Sequence, residues 1–349
     1  MASDLQISGA GFFSGDAQVT QMQRFFQKIM MNNMPSVAPS ASPLVSIIIP
    51  MFKSAAYLRE QIAMLKRQTY PWWEAIYVDD NSPDGSAALA EDLTRGDARF
   101  RVIRKKKRTG FPSVSRNLGI EAAVGEFICF LDHDDLWHRE KLRLQALAAE
   151  KFPQAIVIST AIVKFAGRGP QDEPLKDPPK FRVQDPWANF KSCKIVLSSA
   201  MVPRQELIKI GGLADSPKFR GVDDYHLWLR LAPKGDFVKV DEKLCYWRTD
   251  LNSLGSNKTI FNTGLWNIYE DLKQVPQIAP KYCQSIKAQA LRTEAAEQLS
   301  RNACQALSCG LKSFQLQPSF KTSMAIVFIC FNFIIPRHLR PDLLRWVRS

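Results

Sequence analysis

Short apolar runs alternate with segments of helical periodicity through the first third of the chain. Leu44-Val-Ser-Ile-Ile-Ile49, ended by Pro50, is dominated by β-branched residues, the pattern of a strand buried on both faces. Residues 57–68 then repeat Leu58, Ile62 and Leu65 at helical spacing. Trp73-Glu-Ala-Ile-Tyr-Val78 is a second strand, followed by the turn-rich Asp79-Asp-Asn-Ser-Pro-Asp-Gly85, and residues 86–93 form a second helix. Residues 100–103, 115–124 and 127–131 continue as strand, helix and strand. This alternation predicts right-handed crossover units, hence an α/β fold around a mostly parallel central sheet flanked by helices. In such sheets ligands bind beyond the carboxyl ends of the strands. Pro50, Asp79 with Asp80, and Asp132 to Asp135 all fall at that edge.

The pattern changes toward both ends. Residues 1–41 hold no basic segment followed by a continuous apolar run, so a flexible leader over 1–42 is expected in place of a signal peptide, with a short helix around 21–31. Residues 261–273 and 286–311 predict helices of a C-terminal extension over 256–320. Met324-Ala-Ile-Val-Phe-Ile-Cys-Phe-Asn-Phe-Ile-Ile335 is apolar, stops at Pro336 and precedes four arginines and Trp346. A spanning helix needs roughly 20 apolar residues, so this run is short for a crossing. The tail over 321–349 reads as a segment lying on an anionic membrane surface, with a core helix as its alternative.

Composition narrows the partners. The 349 residues carry 46% hydrophobic side chains, ample for a core over 43–255, and a formal charge of +13 that calls for an anionic partner. Nucleic acid is excluded as the main partner, because the basic run Arg104-Lys-Lys-Lys-Arg108 lacks interleaved aromatics and reads as a solvated loop. The seven cysteines are scattered without zinc spacing, as expected of a reducing cytoplasm. No G-x-G-x-x-G follows the first strand and no G-x-x-x-x-G-K-[ST] loop occurs, so carboxylates and metal would hold a nucleotide instead of a glycine cradle.

The candidate chemistry starts at Asp132-His-Asp-Asp135, with Glu140 beyond it. Several hard oxygen ligands at a strand end repel one another unless a cation offsets them, and Mg²⁺ or Mn²⁺ is held by one or two carboxylates plus substrate phosphates. The alternative is a solvated acidic turn capping a helix that begins near Trp137. His133 between hard carboxylates reads as pointing away from them and is not taken as a ligand. Residues 167–185, rich in Pro, Asp and Lys, read as a loop and a candidate lid or acceptor contact.

Taken in order, Val45-Ser-Ile-Ile-Ile-Pro50, Tyr77-Val-Asp-Asp-Asn-Ser82, Ser115-Arg-Asn-Leu-Gly119 and Phe130-Leu-Asp-His-Asp-Asp135 resemble the motif set of glycosyltransferase family 2. The resemblance covers roughly residues 44–250. It implies a GT-A, Rossmann-like fold and an inverting transfer of a sugar from a nucleotide-sugar donor, a UDP-sugar by preference, to a saccharide or lipid-linked acceptor. By that resemblance Pro50 and the Asp79/Asp80 pair meet the nucleoside, Asp80 accepting from the base. Arg116 and Asn117 match an Arg-Asn pair near the diphosphate. Asp132 contacts ribose or donor sugar, and Asp134 and Asp135 hold Mg²⁺ or Mn²⁺, Asp134 most directly. Gly221-Val-Asp-Asp-Tyr-His-Leu-Trp-Leu-Arg-Leu231 resembles the family's E-D-x-x-L-W-L-R segment. Asp224 then stands at the catalytic base and Asp223 at the acceptor-orienting position, both at a helix start whose partial positive charge favours a carboxylate. His226 stands where an acidic residue is common. Tyr246-Trp-Arg248 with Asn252-Ser253 loosely resembles a segment closing over the donor phosphates, which makes Arg248 a phosphate contact. Cell-surface polysaccharide, lipopolysaccharide or glycolipid synthesis, peripheral on the inner face of a bacterial plasma membrane, is the expected setting. A catalytically silent, nucleotide-sugar-binding or scaffold subunit is the alternative.

Overall fold

The computed structural model describes residues 42–318 apart from 168, 176–177, 250–257 and 299–301, together with 323 and 326. The expected leader and tail, and the Asn252-Ser253 pair, lie outside the described residues except at Ser42, Ser323 and Ile326. Strands β1 (Val45–Met51), β2 (Trp73–Asp79), β3 (Phe100–Arg104) and β4 (Phe127–Phe130) alternate with helices α1 (Ala55–Lys66), α2 (Ser86–Thr94) and α3 (Pro112–Ala122). β5 (Leu136–Trp137), α4 (Lys141–Lys151), β6 (Ala155–Phe165), β7 (Phe181–Gln184), β8 (Met201–Pro203), α5 (Arg204–Lys209), α6 (Asp223–Leu231) and β9 (Asp236–Arg248) follow. The chain then turns helical with α7 (Lys258–Leu272), α8 (Pro280–Gln298) and α9 (Ala303–Leu316).

The described strands form one mixed sheet ordered β3-β2-β1-β4-β8-β6-β9-β5, with β7 alongside β9. β1, β2, β3 and β4 pair in parallel, as the βα alternation requires. Beyond β4 the short strand β8 runs antiparallel to both β4 and β6. Period-two alternation divides the buried strand residues between two cores. Ile47, Ile49, Ala75 and Tyr77 face α1, α2 and α4, while Ile48, Ile76, Val78 and Phe130 face α3, α6 and α7. Helix α3 lies close on β1, because a Cβ at Gly119 would stand 2.4 Å from Ile48 Cγ2.

Three expectations change here. The helix foreseen near Trp137 starts at Lys141, because Leu136 and Trp137 pair with Tyr246 and Cys245 of β9. The loop over 167–185 contains β7, which pairs with β9 from Phe181 to Gln184. The single helix over 286–311 is two helices, α8 ending at Gln298 and α9 starting after an Asn302 cap whose side chain accepts from Gln305 N–H.

Candidate active site

The carboxyl ends of β1, β2 and β4 lie side by side, and the start of α6 brings further acidic residues to that edge. Arg116, on α3, stands at its centre. Its Nη2 donates to Asp132 Oδ1 at 2.6 Å and its Nη1 to Asp223 Oδ2 at 2.7 Å. Burial alone would depress the guanidinium, but Asp132 and Asp223 outweigh it and hold its pKa above the usual value. The fork expected to clamp a diphosphate therefore bridges two carboxylates from different elements. It ties the acidic strand end to the helix carrying Asp224.

Asp223 and Asp224 open α6. Burial pushes Asp223 upward and Asp132 adds to that, with Arg116 opposing. Burial also raises Asp224, to about 7, and the neighbouring Asp223 charge contributes. Its Oδ1 accepts the Tyr225 N–H at 2.7 Å. A carboxylate poised near neutrality in a cleft is suited to take a proton.

The Asp132–Asp135 segment divides by depth. Asp132 keeps a side chain 35% exposed, its N–H donates to Ser198 Oγ and its carbonyl accepts from Gln61 Nε2. Asp134 is half-buried and shifted up by burial and by Asp132, against the pull of His133. Asp135 is 1% exposed and sits beneath the turn instead of at its lip. Its Oδ1 accepts the Arg248 N–H at 2.9 Å, its Oδ2 is buried without a partner, and burial with Asp132 and Asp134 raises its pKa well above the usual range. Through Oδ1 it anchors the end of β9. Among the described residues no three or more His, Cys, Asp or Glu side chains form a metal cage. The hard oxygens of Asp134 and Asp132 still fit a cation that takes most of its ligands from phosphates and water. Glu140 is drawn away, paired with Arg143 and Arg139 on the flank of α4.

Two further expectations are revised. Asn117 Nδ2 donates to the Leu213 carbonyl at 2.8 Å and its Oδ1 accepts the Leu213 N–H at 2.9 Å, so both amide ends are engaged away from any phosphate. Arg248 donates from Nε to the Asp134 carbonyl, from Nη1 to Gly167 O and from Nη2 to Glu60, and lies over the Phe165 ring. It fastens the acidic turn and the bend after β6 to α1; in this structure its donors hold protein groups.

At the nucleoside end, Pro50 is buried in β1 and pairs in register with Val78 of β2. Asp80 accepts four hydrogen bonds, from Lys105 Nζ, Thr109 N–H and Oγ1, and Gly110 N–H. Burial pushes it upward, but these donors outweigh that and hold its pKa below the usual carboxylate range. Asp79 Oδ2 accepts the Ser82 N–H, while its Oδ1 is buried without a partner. The basic run is therefore not simply solvated, since Lys105 pairs with Asp80, Arg104 with Glu91, and Arg108 lies 3.9 Å from the Phe52 ring centroid.

The description "Glycosyl transferase family 2" matches residues 46–209. TuaG of Bacillus subtilis, whose name places it in teichuronic acid biosynthesis, is 27% identical over 242 residues, 69% of this chain and 93% of TuaG. The chain carries a family 2 glycosyltransferase domain. An uncharacterized glycosyltransferase of Rickettsia felis is 37% identical over 64% of this chain, but the chain spans about a third, 36%, of that relative. Two solved structures share the domain's fold. S. aureus TarS 1-349 in complex with UDP-GlcNAc superposes with a TM-score of 0.61 at 17% identity, covering 81% of this chain and 83% of that one. The mannosyltransferase PcManGT of Pyrobaculum calidifontis in complex with GDP-Man and Mn²⁺ gives 0.57 at 16% identity, covering 95% and 92%.

The family 2 domain has supporting residues that the motifs did not reveal. Gln61, on the apolar stripe of α1, donates through Nε2 to the carbonyls of Asp132 and Asp135 and accepts from Tyr77 Oη, splinting the acidic turn. Ser198 receives the Asp132 N–H, and its own carbonyl accepts Trp137 Nε1. A glutamine between Leu58 and Ile62 on a buried face was the one available signal, since a buried amide must find partners.

Proposed function

We propose that this chain is an inverting glycosyltransferase that moves a sugar from a nucleoside-diphosphate sugar, a UDP-sugar by preference, to a saccharide or lipid-linked acceptor. The observation that carries the reading is Asp224: a half-buried carboxylate raised to about 7, at the start of α6, beside the Arg116 that bridges Asp132 and Asp223. TuaG's name and the UDP-GlcNAc, UDP and GDP-Man complexes of proteins with this fold support the donor class and the cell-surface polysaccharide setting.

Asp224 takes the proton of an acceptor hydroxyl as that oxygen bonds to the anomeric carbon. The bond from that carbon to the diphosphate breaks in the same displacement, so the configuration inverts and the nucleoside diphosphate leaves. Asp223, held by Arg116, orients the acceptor, and Asp132 faces the ribose or donor sugar. At the nucleoside end the base passes the end of β1 at Pro50, and the unpartnered Oδ1 of Asp79 is the acceptor still unmet there. Arg248 and Asn117 hold the walls, and Asp135 supports the turn from below. Asp134 would hold Mg²⁺ or Mn²⁺, which when bound offsets the charge of the departing diphosphate. No helix among the described residues is long and apolar enough to cross a membrane. The proposed attachment to the inner face of a bacterial plasma membrane rests on the apolar and basic residues 321–349.

The test is a thermal-shift and hydrolysis screen of nucleotide sugars on the full chain with Mn²⁺, Mg²⁺ or EDTA, starting from UDP-GlcNAc. Stabilisation and turnover by one UDP-sugar, lost in EDTA and weakened in Asp134→Ala, are expected. Binding of no nucleotide sugar would overturn the reading, and turnover indifferent to EDTA would remove the metal from it.

A further inference from the structure

The match to the family ends at residue 209, before α6. What surrounds the turn bearing Asp224 comes largely from the helices after the sheet. Val222, immediately before α6, is fully buried, and Gly264 of α7 lies so close that a Cβ there would stand 2.5 Å from Val222 Cγ2. The side chain after Asp224 is Tyr225, whose Oη donates to Asn189 O at 2.7 Å. Gln289 of α8 donates through Nε2 to that same Oη at 3.0 Å and to Phe190 O at 2.8 Å. Next is His226, 2% exposed and stacked on Phe219 with ring centroids 4.2 Å apart. Its Nε2 lies 2.9 Å from Asp271 Oδ2 of α7. Burial lowers the His226 pKa, so the neutral ring donates this bond from Nε2. Asn267 of α7 also donates to Lys218 O, fixing the segment that leads into α6.

We propose that α7 and α8 are part of the catalytic unit: through Gly264, Asp271 and Gln289 they grip Val222, His226 and Tyr225 and so position Asp224. Asp271, His226 and Gln289 are positioning residues, since they reach the reaction only through the orientation of α6. The residues just before and just after the acidic pair are thus held by elements from outside the sheet, while Arg116 holds Asp223 from within it. A carboxylate displaced by about 1 Å from its proton can lose up to 100-fold in rate without a change in donor binding. The inference rests on Asp224 being the base.

The test uses the full chain with UDP-GlcNAc turnover as the activity and the metal-dependent thermal shift by UDP as the binding measure, unless the screen above selects another UDP-sugar for turnover. Asp271→Ala is expected to lower kcat about 10- to 100-fold with the donor KM and the UDP shift unchanged. Asp271→Asn keeps an oxygen that accepts from His226 Nε2 and should return kcat to within about threefold of the parent. Gln289→Ala, a lesion on the other helix, should show the same split between kcat and KM. Parental kcat in both alanine variants would overturn the inference, as would loss of UDP binding in step with kcat, or an Asn variant as slow as the Ala variant. Asp224→Asn in the same series separates the two claims. If it is inactive while the alanine variants are unaffected, only the grip fails; if it turns over like the parent, the base assignment itself fails.

Discussion

Asp224 carries the proposed chemistry because of its half-buried place at the start of α6, and its titration can be followed. With its pKa raised to about 7, the folded chain retains a proton that the unfolded chain loses near the ordinary carboxylate value of 3.8. Between those two values the folded state holds more protons, so this residue's contribution to stability falls as pH rises from about 4 and is lost above about 7. Asp224→Asn should therefore melt a few degrees above the parent at pH 8 and level with it near pH 4. The parent's kcat/KM should rise through pH 7 as the base ionises. Calorimetry at the two pH values and a pH–rate profile check both; equal melting at pH 8 would show that folding does not raise the Asp224 pKa. Arg116 shows what sequence can and cannot convey at this scale. Its type and its place before Asn117 were legible, but its partners were not, because Asp132 and Asp223 lie 16 and 107 residues away along the chain. Asn117, Arg248 and Asp135 were legible as site residues for the same reason of type, yet each directs its polar atoms into the protein. Sequence shows that a buried polar group needs partners; only the fold shows whether those are protein or ligand.

The parallel half of the sheet was legible because its strands are short β-branched runs buried on both faces, separated by helices of regular period. The second half was not. β9 mixes Asp, Glu, Lys and Arg into 13 residues, β8 is three residues long, and β7 lies within a Pro- and Lys-rich stretch. None carries a period strong enough to stand out from loop. β7 and β8 turn antiparallel, and β9, parallel to β6, brings Arg248 under the acidic turn, so the floor of the site was hidden along with them. The contact of α3 with β1 sets where Arg116 emerges, and it depends on the missing side chain of Gly119. Gly119→Ala must displace either Ile48 or the helix and should cost about 1 to 3 kcal/mol, measured as a fall in the denaturant midpoint with unchanged m-value. No loss of stability would mean that helix and strand are not in close contact there.

For the whole molecule, the formal charge of +13 is consistent with an anionic donor and an anionic surface, but charge says nothing about where either binds. The proposed place for the donor is the sheet edge, with the helices beyond the sheet holding one wall of it. That wall was read from sequence only as helices, since nothing in the periodicity of α7 or α8 announces Asp271 or Gln289 as partners of α6. The proposed reaction is a single displacement at the anomeric carbon, with Asp224 taking the proton and the chain forming no bond to the sugar. The most direct measurement is proton NMR of the first sugar product released from an α-linked UDP-sugar by the full chain with Mn²⁺, recorded before the free anomers interconvert. A single displacement gives the β-anomer; retention as the α-anomer would rule it out.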